Sequence, residues 1–435
     1  MRIAFLSEHA SPVALLGGED AGGQNVYVDE VSRNLGRLGH AVDVFTRRDD
    51  PDAPEIIAWA PNVRVINLPA GPPRHLPKDD LWPYMPRFRD LLLLFMGRDG
   101  VRYDVIHGNF WMSGAVAAEL GRRLGIPVVQ IFHAMGKTKR RHQGDADTSA
   151  PERIAVEEGI IRAVDRVIAQ CPAEQCELID DYGAPRDKVV VIPSAVNTEV
   201  YRPVPRDEAR RRIGLTWDGP VVVYVGRMLP RKDVRNVVRA FALLSRRYDD
   251  GAPATGPHAQ GGAPLLLLVG GETAEPDPVA TPEIGELRRL AAESGVADRV
   301  RFAGKRQPDT LRDYYSAGDI AVTTPWYEPF GLTPLEAMAC GVPVVGSAVG
   351  GLTYTIAAGE TGLLVPPRDP ESLAAALRGL LDGPDARRRM GHAARARVEQ
   401  LFTWPVVARR TAALYEELSA VGHQLSVVSG SGRPL

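Results

Sequence analysis

The sequence predicts an α/β protein of two domains with parallel sheets, and three observations carry that prediction. Short apolar runs of strand length alternate with amphipathic stretches of helix length from one end to the other. At 435 residues the chain is long enough for two or three cores of ordinary size. Near the middle, residues 197–215 break the alternation with Pro203, Pro205 and the mixed-charge run RDEARRRIGL, as an interdomain connector with a short helix does. The resulting bounds are 1–200 for the first domain, 201–402 for the second, 403–420 for a terminal helix and 421–435 for a disordered polar tail.

In the first half, residues 2–6 form an apolar run ending in Ser7-Glu8-His9. The glycine-rich LLGGEDAGGQNVYV follows and leads into a helix with Val28, Val31, Leu35 and Leu38 at 3-4-3 spacing. Its glycines do not fit G-x-G-x-x-G, so a dinucleotide fingerprint is not supported. Gly22-Gly23 places bare backbone at a helix start, where either a tight turn or a closely approaching ligand needs glycine. Further strands are predicted at 41–46, 63–67, 105–107, 128–132, 166–169 and 189–192. Helices are predicted at 81–96, with Pro83 and Pro86 early in it, and at 113–124, 151–163 and 172–182. The strand at 128–132 delivers His133 into a loop carrying GKTKRRH. A histidine there is either structural or functional. The charge run is either a solvated loop or an anion site at which Lys137, Lys139, Arg140 and Arg141 attract and clamp a phosphate.

Residues 221–225 open the second domain and run into GRMLPRKD and a helix from about 234 to 248. Arg227 and Lys232 share that strand-to-helix loop. Two fixed cations beside a helix start suit a departing diphosphate, whose charge grows in the transition state; a plain basic turn is the alternative. A Walker loop would need G-x-x-x-x-G-K-[ST], which is absent. Residues 248–263, YDDGAPATGPHAQGGA, have no periodicity and are predicted to be a flexible surface insertion. Strands at 265–270 and 300–302 flank a helix at 283–294, and Lys305 and Arg306 lie in the loop 304–307.

A strand at 320–324 then enters PWYEPFGLTPLEAMACGVPVV. Thr333 is a candidate N-cap with Glu336 three residues on, predicting a helix over 334–339 that Gly341 and Pro343 end before a strand at Val344. The loop before this helix lies at the carboxyl end of a parallel sheet, where open α/β proteins bind ligands. Glu328 and Glu336 can accept hydrogen bonds from vicinal hydroxyls, and the N–H groups of Gly331, Leu332 and Thr333 suit hydroxyls or phosphoryl oxygen. Two solvated glutamates near a helix end are the plainer alternative. Helices at 371–381, 384–400 and 404–418 complete the pattern, and no internal sequence repeat is visible.

Composition narrows the function classes. With 44% hydrophobic and 24% charged residues the chain reads as an ordinary soluble globular protein, and a net charge of −2 gives no global attraction to nucleic acid or an anionic membrane. Cys171, Cys176 and Cys340 cannot all pair, show no zinc-ligand spacing and are predicted to be small buried hydrophobes in a reducing compartment. The first apolar run is too brief for a signal peptide and no stretch approaches a membrane span, which predicts a cytoplasmic protein. Neither a D-x-D motif nor a Cys/His cluster marks a metal site, and nothing chooses between monomer and homodimer.

The string E-P-F-G-L-x-x-L-E-A-M-A-x-G-x-P-V-V, with Glu328 and Glu336 at its two acidic positions, resembles the nucleotide-sugar signature of family 4 retaining glycosyltransferases. That resemblance implies the glycosyltransferase B fold, with two facing Rossmann-like domains. It implies that Glu336 holds the nucleotide ribose, that Glu328 meets the donor sugar near its 3- and 4-hydroxyls, and that Phe330 belongs to the same donor site. Arg227 and Lys232 of GRMLPRKD match the pair that holds the donor pyrophosphate, with Asp233 where glycine is usual. His133 matches a histidine that contacts the donor sugar, and Lys305 and Arg306 lie in the loop beside the nucleotide base. VGGLTYTI resembles the second glycine loop of the family.

G-G-Q-x-x-Y-V is similar to the acceptor-side loop of sucrose-phosphate synthases and of the inositol-phosphate N-acetylglucosaminyltransferases of mycothiol synthesis. The likeness implies acceptor contacts at Gly22 and Asn25 and a donor contact at Gly23. Lys78 in LPKDDL, Lys139 in HAMGKTK and Arg153 match basic positions that contact an acceptor phosphate, with Lys137 and Arg140 as further cations. Phe110 and Ala134 stand where the inositol-phosphate enzymes place tyrosine and threonine.

The function implied is transfer of glucose or N-acetylglucosamine, with retention, from a nucleotide diphosphate sugar, UDP-linked, to a small phosphorylated sugar or cyclitol. No cofactor and no metal are required in this scheme, because the leaving diphosphate itself accepts the proton of the attacking hydroxyl. A sugar-nucleotide epimerase or a catalytically silent sugar-nucleotide binder are the competing functions. An epimerase needs no basic acceptor loop, and a silent binder would be expected to have lost one of Arg227, Lys232, Glu328 or Glu336.

Overall fold

The computed structural model describes residues 1–13, 22–144, 147–249 and 262–430. Residues 14–21 of the glycine-rich stretch and 250–261 of the predicted insertion lie outside the described residues. The chain divides into two compact units, the first made of residues 1–194 and the chain from Trp404 onward, the second of residues 195–403.

Unit 1 contains β1 (Arg2–Leu6), β2 (Ala41–Arg47), β3 (Ile56–Ala60), β4 (Val63–Leu68), β5 (Val105–Asn109), β6 (Val128–Ile131), β7 (Arg166–Ala169) and β8 (Val189–Val191). They form one eight-stranded sheet in the order β3-β4-β2-β1-β5-β6-β7-β8. Its helices are α1 (Gly23–Arg37), α2 (Met85–Asp99), α3 (Phe110–Leu124), α4 (Gly136–Gln143), α5 (Arg153–Ala163) and α6 (Pro172–Asp180). The strands pair in parallel except β3, which runs antiparallel on β4 through a turn at Pro61-Asn62, with Asn62 in the left-handed region at φ 63°. The sheet is therefore mixed where the sequence predicts a parallel one. The missed strand IIAWA is an edge, exposed to half-buried along its length, so it lacks the unbroken apolar run of a covered strand.

Unit 2 contains β9 (Val221–Val225), β10 (Leu265–Val269), β11 (Val300–Phe302), β12 (Ile320–Thr323), β13 (Val344–Ser347) and β14 (Gly362–Val365). Its six-stranded sheet has the order β11-β10-β9-β12-β13-β14 and every pairing is parallel. Helices α7 (Arg206–Arg212), α8 (Val234–Asp249), α9 (Pro282–Glu293), α10 (Pro308–Ala317), α11 (Leu332–Ala339), α12 (Leu352–Thr355), α13 (Pro370–Asp382) and α14 (Pro384–Leu401) complete it. Helices cover both sheet faces, so β10, LLLLV, is buried at every position. The last helix, α15 (Trp404–Gly430), belongs to unit 1 and packs against α1. It continues through residues 421–430, where the sequence predicts a disordered tail; residues 431–435 lie outside the described residues.

Three local differences from the sequence prediction bear on function. Helix α11 begins at Leu332 with Gly331 as its N-cap at φ 98°, so Thr333 lies inside the first turn and caps nothing. Pro334 tolerates that place because an N–H there would have no helical partner. The run GKTKRRH is helix α4, not a loop. Cys176 is exposed while Cys171 and Cys340 are buried, since α6 turns Glu174 and Leu178 inward and Cys176 outward.

Each sheet reverses its strand order once. The reversal lies between β1 and β5 in unit 1 and between β9 and β12 in unit 2. The crevice at the carboxyl ends of such strand pairs is the usual binding place in open α/β sheets.

Candidate active site

The loops after β9 and β12 meet at the unit 2 reversal. Pro230–Lys232 is a single 3-10 turn ended by Asp233 in the left-handed conformation at φ 50° and ψ 46°. This is the region a glycine would occupy, and aspartate is among the few residues that tolerate it, so the departure at Asp233 leaves the turn intact. Lys232 Nζ donates to Glu328 Oε2, with each side chain 14% exposed. Arg227 is exposed at the start of the same loop, and Arg231 is a third cation beside it that the sequence did not single out.

The Glu328 loop is held from behind by the second glycine loop. Gly351 N donates to Glu328 O at 2.9 Å, and a Cβ at Gly350 would stand 2.3 Å from that same oxygen. Gly331, Leu332 and Thr333 form the start of α11, whose first N–H groups have no partner within the helix. Phe330 is buried and packs edge-on against Phe402 at 6.2 Å, which places its ring in the core. Glu336 accepts from Tyr315 Oη at 2.7 Å and also from Tyr201. Burial, opposed by these two phenols, pushes its pKa up to about 7. Arg306 gives Nε to Tyr314 Oη at 2.5 Å and Nη1 to Ala274 O at 2.6 Å, so its guanidinium pins the adjoining loop, and Lys305 N donates to Thr273 O at 2.7 Å.

In unit 1, the loops after β1, β5 and β6 converge. His133 follows β6 with a left-handed backbone at φ 61° and is half-buried. Asn109 Nδ2 donates to Leu6 O at 3.1 Å, so Asn109 Oδ1 accepts from His133 Nε2 at 3.1 Å and the ring keeps its lone pair on Nδ1. Burial and then the neighbouring His9 push the His133 pKa down to about 3, leaving the imidazole neutral. Tyr27 stands edge-on to it at 4.9 Å. Glu8 and His9, at the end of β1, were passed over in the sequence. Glu8 is fully buried, accepts from His9 Nδ1 at 2.7 Å and from Ser113 Oγ, and so orients the His9 ring. Their only sequence signal is a histidine directly after a strand, the same signal that marks His133.

The predicted acceptor cations separate into two groups. Lys139 Nζ lies 2.9 Å from Ser149 Oγ and 3.0 Å from Asp147 Oδ1, and Arg153 Nη1 donates to the same Ser149 Oγ at 3.2 Å. Asp147 is held down to about 2; burial opposes the shift, but Ser149 and Lys139 outweigh it. The turn containing Lys78 joins this group through Asp79, which lies 3.8 Å from Lys139 and accepts from Thr148 Oγ1 at 2.7 Å. Lys137 points elsewhere, to Glu158 at 2.7 Å, Asp181 O at 2.6 Å and the Tyr182 ring at 4.5 Å. The reason is helical: residues two apart on α4 are turned about 200° from one another.

Arg153 itself is 2% exposed and fixed to Glu157 Oε1 at 2.8 Å and Ala134 O at 2.5 Å. Glu157 accepts from Gly136 N with both oxygens, at 3.1 and 3.0 Å, and so anchors the start of α4. The Arg153 guanidinium also lies 5.0 Å over the ring of Phe110, whose backbone is left-handed at φ 73° and whose ring stands edge-on to His9 at 5.0 Å. Arg140 is half-exposed, 3.8 Å from Asp147. Gly22 is the N-cap of α1 with open space beside it, and Gly23 is the first residue of that helix. Asn25 Oδ1 accepts from Gly22 N at 3.1 Å while its Nδ2 donates to Ser11 O at 3.0 Å, which makes it a cap of the helix start. Among the described residues no group of three or more His, Cys, Asp or Glu side chains is placed to share a metal ion, and no helix is long and apolar enough to cross a membrane.

Two α/β units, one with a parallel sheet presenting a cation–carboxylate pair and the other with a mostly parallel sheet presenting a half-buried histidine with a basic cluster, define a glycosyltransferase of the B fold. The family model described as glycosyl transferases group 1 matches residues 205–397, and that described as glycosyltransferase family 4 matches residues 21–200. The D-inositol 3-phosphate glycosyltransferase of Acidothermus cellulolyticus is 38% identical over 436 residues, covering 97% of this chain and 94% of the relative. That of Kineococcus radiotolerans is 39% identical over 428 residues, covering 95% and 94%. Among solved structures, the sucrose-phosphate synthase of Thermosynechococcus elongatus has a TM-score of 0.79 at 36% identity, covering 97% of this chain and 99% of that one. The chain belongs to the group 1 and family 4 glycosyltransferases.

Proposed function

We propose that this glycosyltransferase moves glucose or N-acetylglucosamine from a UDP-linked donor, with retention, to a hydroxyl of a small phosphorylated cyclitol or sugar. The observation that carries the acceptor class is the convergence of Lys139 and Arg153 on Ser149, beside the turn that holds Lys78. The relatives named for D-inositol 3-phosphate and the neighbour named for sucrose phosphate support a phosphorylated compound.

On the donor side, Arg227 and Lys232 hold the pyrophosphate, with the N–H groups of Gly331, Leu332 and Thr333 as further donors to oxygen. Glu328 takes hydroxyls of the sugar and Glu336 those of the ribose. The acceptor oxygen bonds to the anomeric carbon on the face from which the bond to phosphate breaks. The leaving diphosphate, its growing charge offset by the two cations, takes the hydroxyl proton. His133 enters as a neutral ring whose Nδ1 accepts from a sugar hydroxyl. The scheme uses no cofactor beyond the nucleotide sugar.

Diphosphate release from UDP-glucose and UDP-N-acetylglucosamine, screened against phosphorylated cyclitols and sugars and their dephosphorylated forms, tests the proposal. Release should depend on acceptor, and kcat/KM should fall at least tens of times without the phosphate, since charged hydrogen bonds contribute about 1.5–3 kcal/mol each. Equal kcat/KM for the two forms would sink the phosphorylated-acceptor assignment.

The Glu336 pKa gives an independent test. The fold favours its neutral form, so its contribution to stability is fully present below the ordinary carboxyl value of 4.5 and is lost as pH rises through about 7. Ribose hydroxyls instead favour the carboxylate. Affinity for UDP should therefore fall as pH drops below 7, approaching tenfold per unit, and Glu336→Gln should bind weakly without that slope. Calorimetry across pH 5.5–8 that gave parallel profiles for both proteins would remove Glu336 from the ribose site.

A further inference from the structure

Asp233 and Arg368 are the two non-glycine residues of unit 2 held at positive φ among the described residues, at 50° and 60°, and both act on one side chain. Asp233 Oδ2 accepts from the Trp326 indole Nε1 at 2.8 Å, and the Arg368 guanidinium lies 4.2 Å from the centre of the Trp326 ring. Trp326 is nevertheless 37% exposed, among the few large apolar side chains so exposed in this protein. An exposed indole held at its edge and over its face is fixed for a reason other than burial.

Its neighbours supply that reason. Trp326 N donates to Arg231 O at 2.9 Å, and Thr324 Oγ1, fully buried, donates to Asp233 O at 3.0 Å. The loop after β12 is thus tied to the loop after β9 on both sides of residue 325, immediately before Glu328. Directly beside these ties, Lys232 and Glu328 reach across from the same two loops. The backbone ties alone would survive a glycine at position 233; the side-chain tie would not.

We propose that Asp233 and Trp326 form a latch that sets the separation of Lys232 and Glu328, which makes Asp233 a positioning residue for glycosyl transfer. The latch rests on the donor assignment of Lys232 and Glu328 given above. A donor must enter between those two groups and break their mutual ion pair. With the loops latched, the cation stays over the pyrophosphate and the carboxylate over the sugar after they have parted. A misplacement of about 1 Å in such a pair costs on the order of 10²-fold in rate, so a partly loosened latch should cost roughly tenfold in kcat.

The test uses the full-length enzyme, with acceptor-dependent diphosphate release as readout and a thermal melt to confirm folding. Asp233→Gly keeps the left-handed turn and removes the acceptor of the indole N–H, and Trp326→Phe removes its donor. Each should lower kcat by roughly tenfold and leave the UDP dissociation constant within about threefold. Asp233→Asn, which tolerates the same backbone and still accepts with Oδ1, should restore kcat. The double variant D233G/W326F should be no slower than either single one, because both break one interaction. Wild-type kcat in Asp233→Gly, or losses that multiply in the double variant, overturn the latch. A wild-type enzyme that releases no diphosphate with any acceptor overturns the donor reading instead, so the two failures are distinct.

Discussion

Lys232→Ala is expected to lower kcat by roughly 10²–10³ at saturating donor while leaving the melting temperature nearly unchanged. The ammonium lies at the strand-order reversal of unit 2, on a 3-10 turn whose backbone is set by Leu229 O and by the left-handed Asp233, not by the lysine side chain. Deleting it therefore spares the fold. What is lost is a fixed positive charge, and the demand on that charge rises as the bond to the diphosphate breaks, so the penalty falls on kcat more than on KM. The Glu328 carboxylate is left without its partner but keeps contact with water, since its side chain is 14% exposed. Arg227→Ala should act in the same direction. Turnover by Lys232→Ala equal to wild type would show that the Lys232–Glu328 pair is merely a surface ion pair.

Arg153→Ala should be the most destabilising single change in the acceptor group. It removes one partner of a buried ion pair, leaving Glu157, with no exposed surface, to hold charge against Tyr182 and the Gly136 amide alone. Breaking such a pair costs about 3–5 kcal/mol. For a unit of this size that lowers its unfolding transition by on the order of 10 °C. The variant should also lose the preference for a phosphorylated acceptor, because Arg153 fixes Ala134 O and, through Glu157, the start of α4 on which Lys139 rides. Lys139→Ala separates the two effects: its side chain is a fifth exposed, so the fold should survive while the phosphate preference goes. Melting curves and kcat/KM ratios for the two variants decide the matter. An Arg153→Ala protein that melts with wild type and still prefers phosphate would refute both roles.

Most of the fold was legible because parallel strands covered on both faces announce themselves as unbroken apolar runs. LLLLV at 265–269 and VVVYV at 221–225 are of strand length and are both strands in the structure. Besides α10, which buries Tyr314 and Tyr315, what escaped was structure whose side chains face water. β3 is an exposed edge, and α4, GKTKRRHQ, carries no apolar stripe to betray a helix. The second omission had a functional price: in a loop Lys137 and Lys139 can serve one anion, whereas on a helix they diverge. That Lys232 and Glu328 share one end of the unit 2 sheet follows from the sequence because each lies in a strand-ending loop. Glu8 with His9, and Tyr201 with Tyr315, were invisible for the opposite reason. Their significance arises only when residues remote in sequence are folded side by side, as Ser113 is with Glu8 and Tyr315 with Glu336.

The left-handed backbones of Phe110 and His133, at the ends of the neighbouring strands β5 and β6, have a bearing on how this protein can be improved. Each holds a bulky L-residue where glycine or asparagine would rest at about 1–2 kcal/mol less strain. Phe110 recovers some of that cost by burying its ring, whereas the half-buried His133 offers a polar side chain tied to Asn109. A selection for heat resistance alone would thus be drawn to position 133 and would trade away the imidazole to gain a degree or two. On the proposed role of His133, durability and chemistry compete at a single residue, and a campaign to harden the protein would have to hold that residue fixed from the outset.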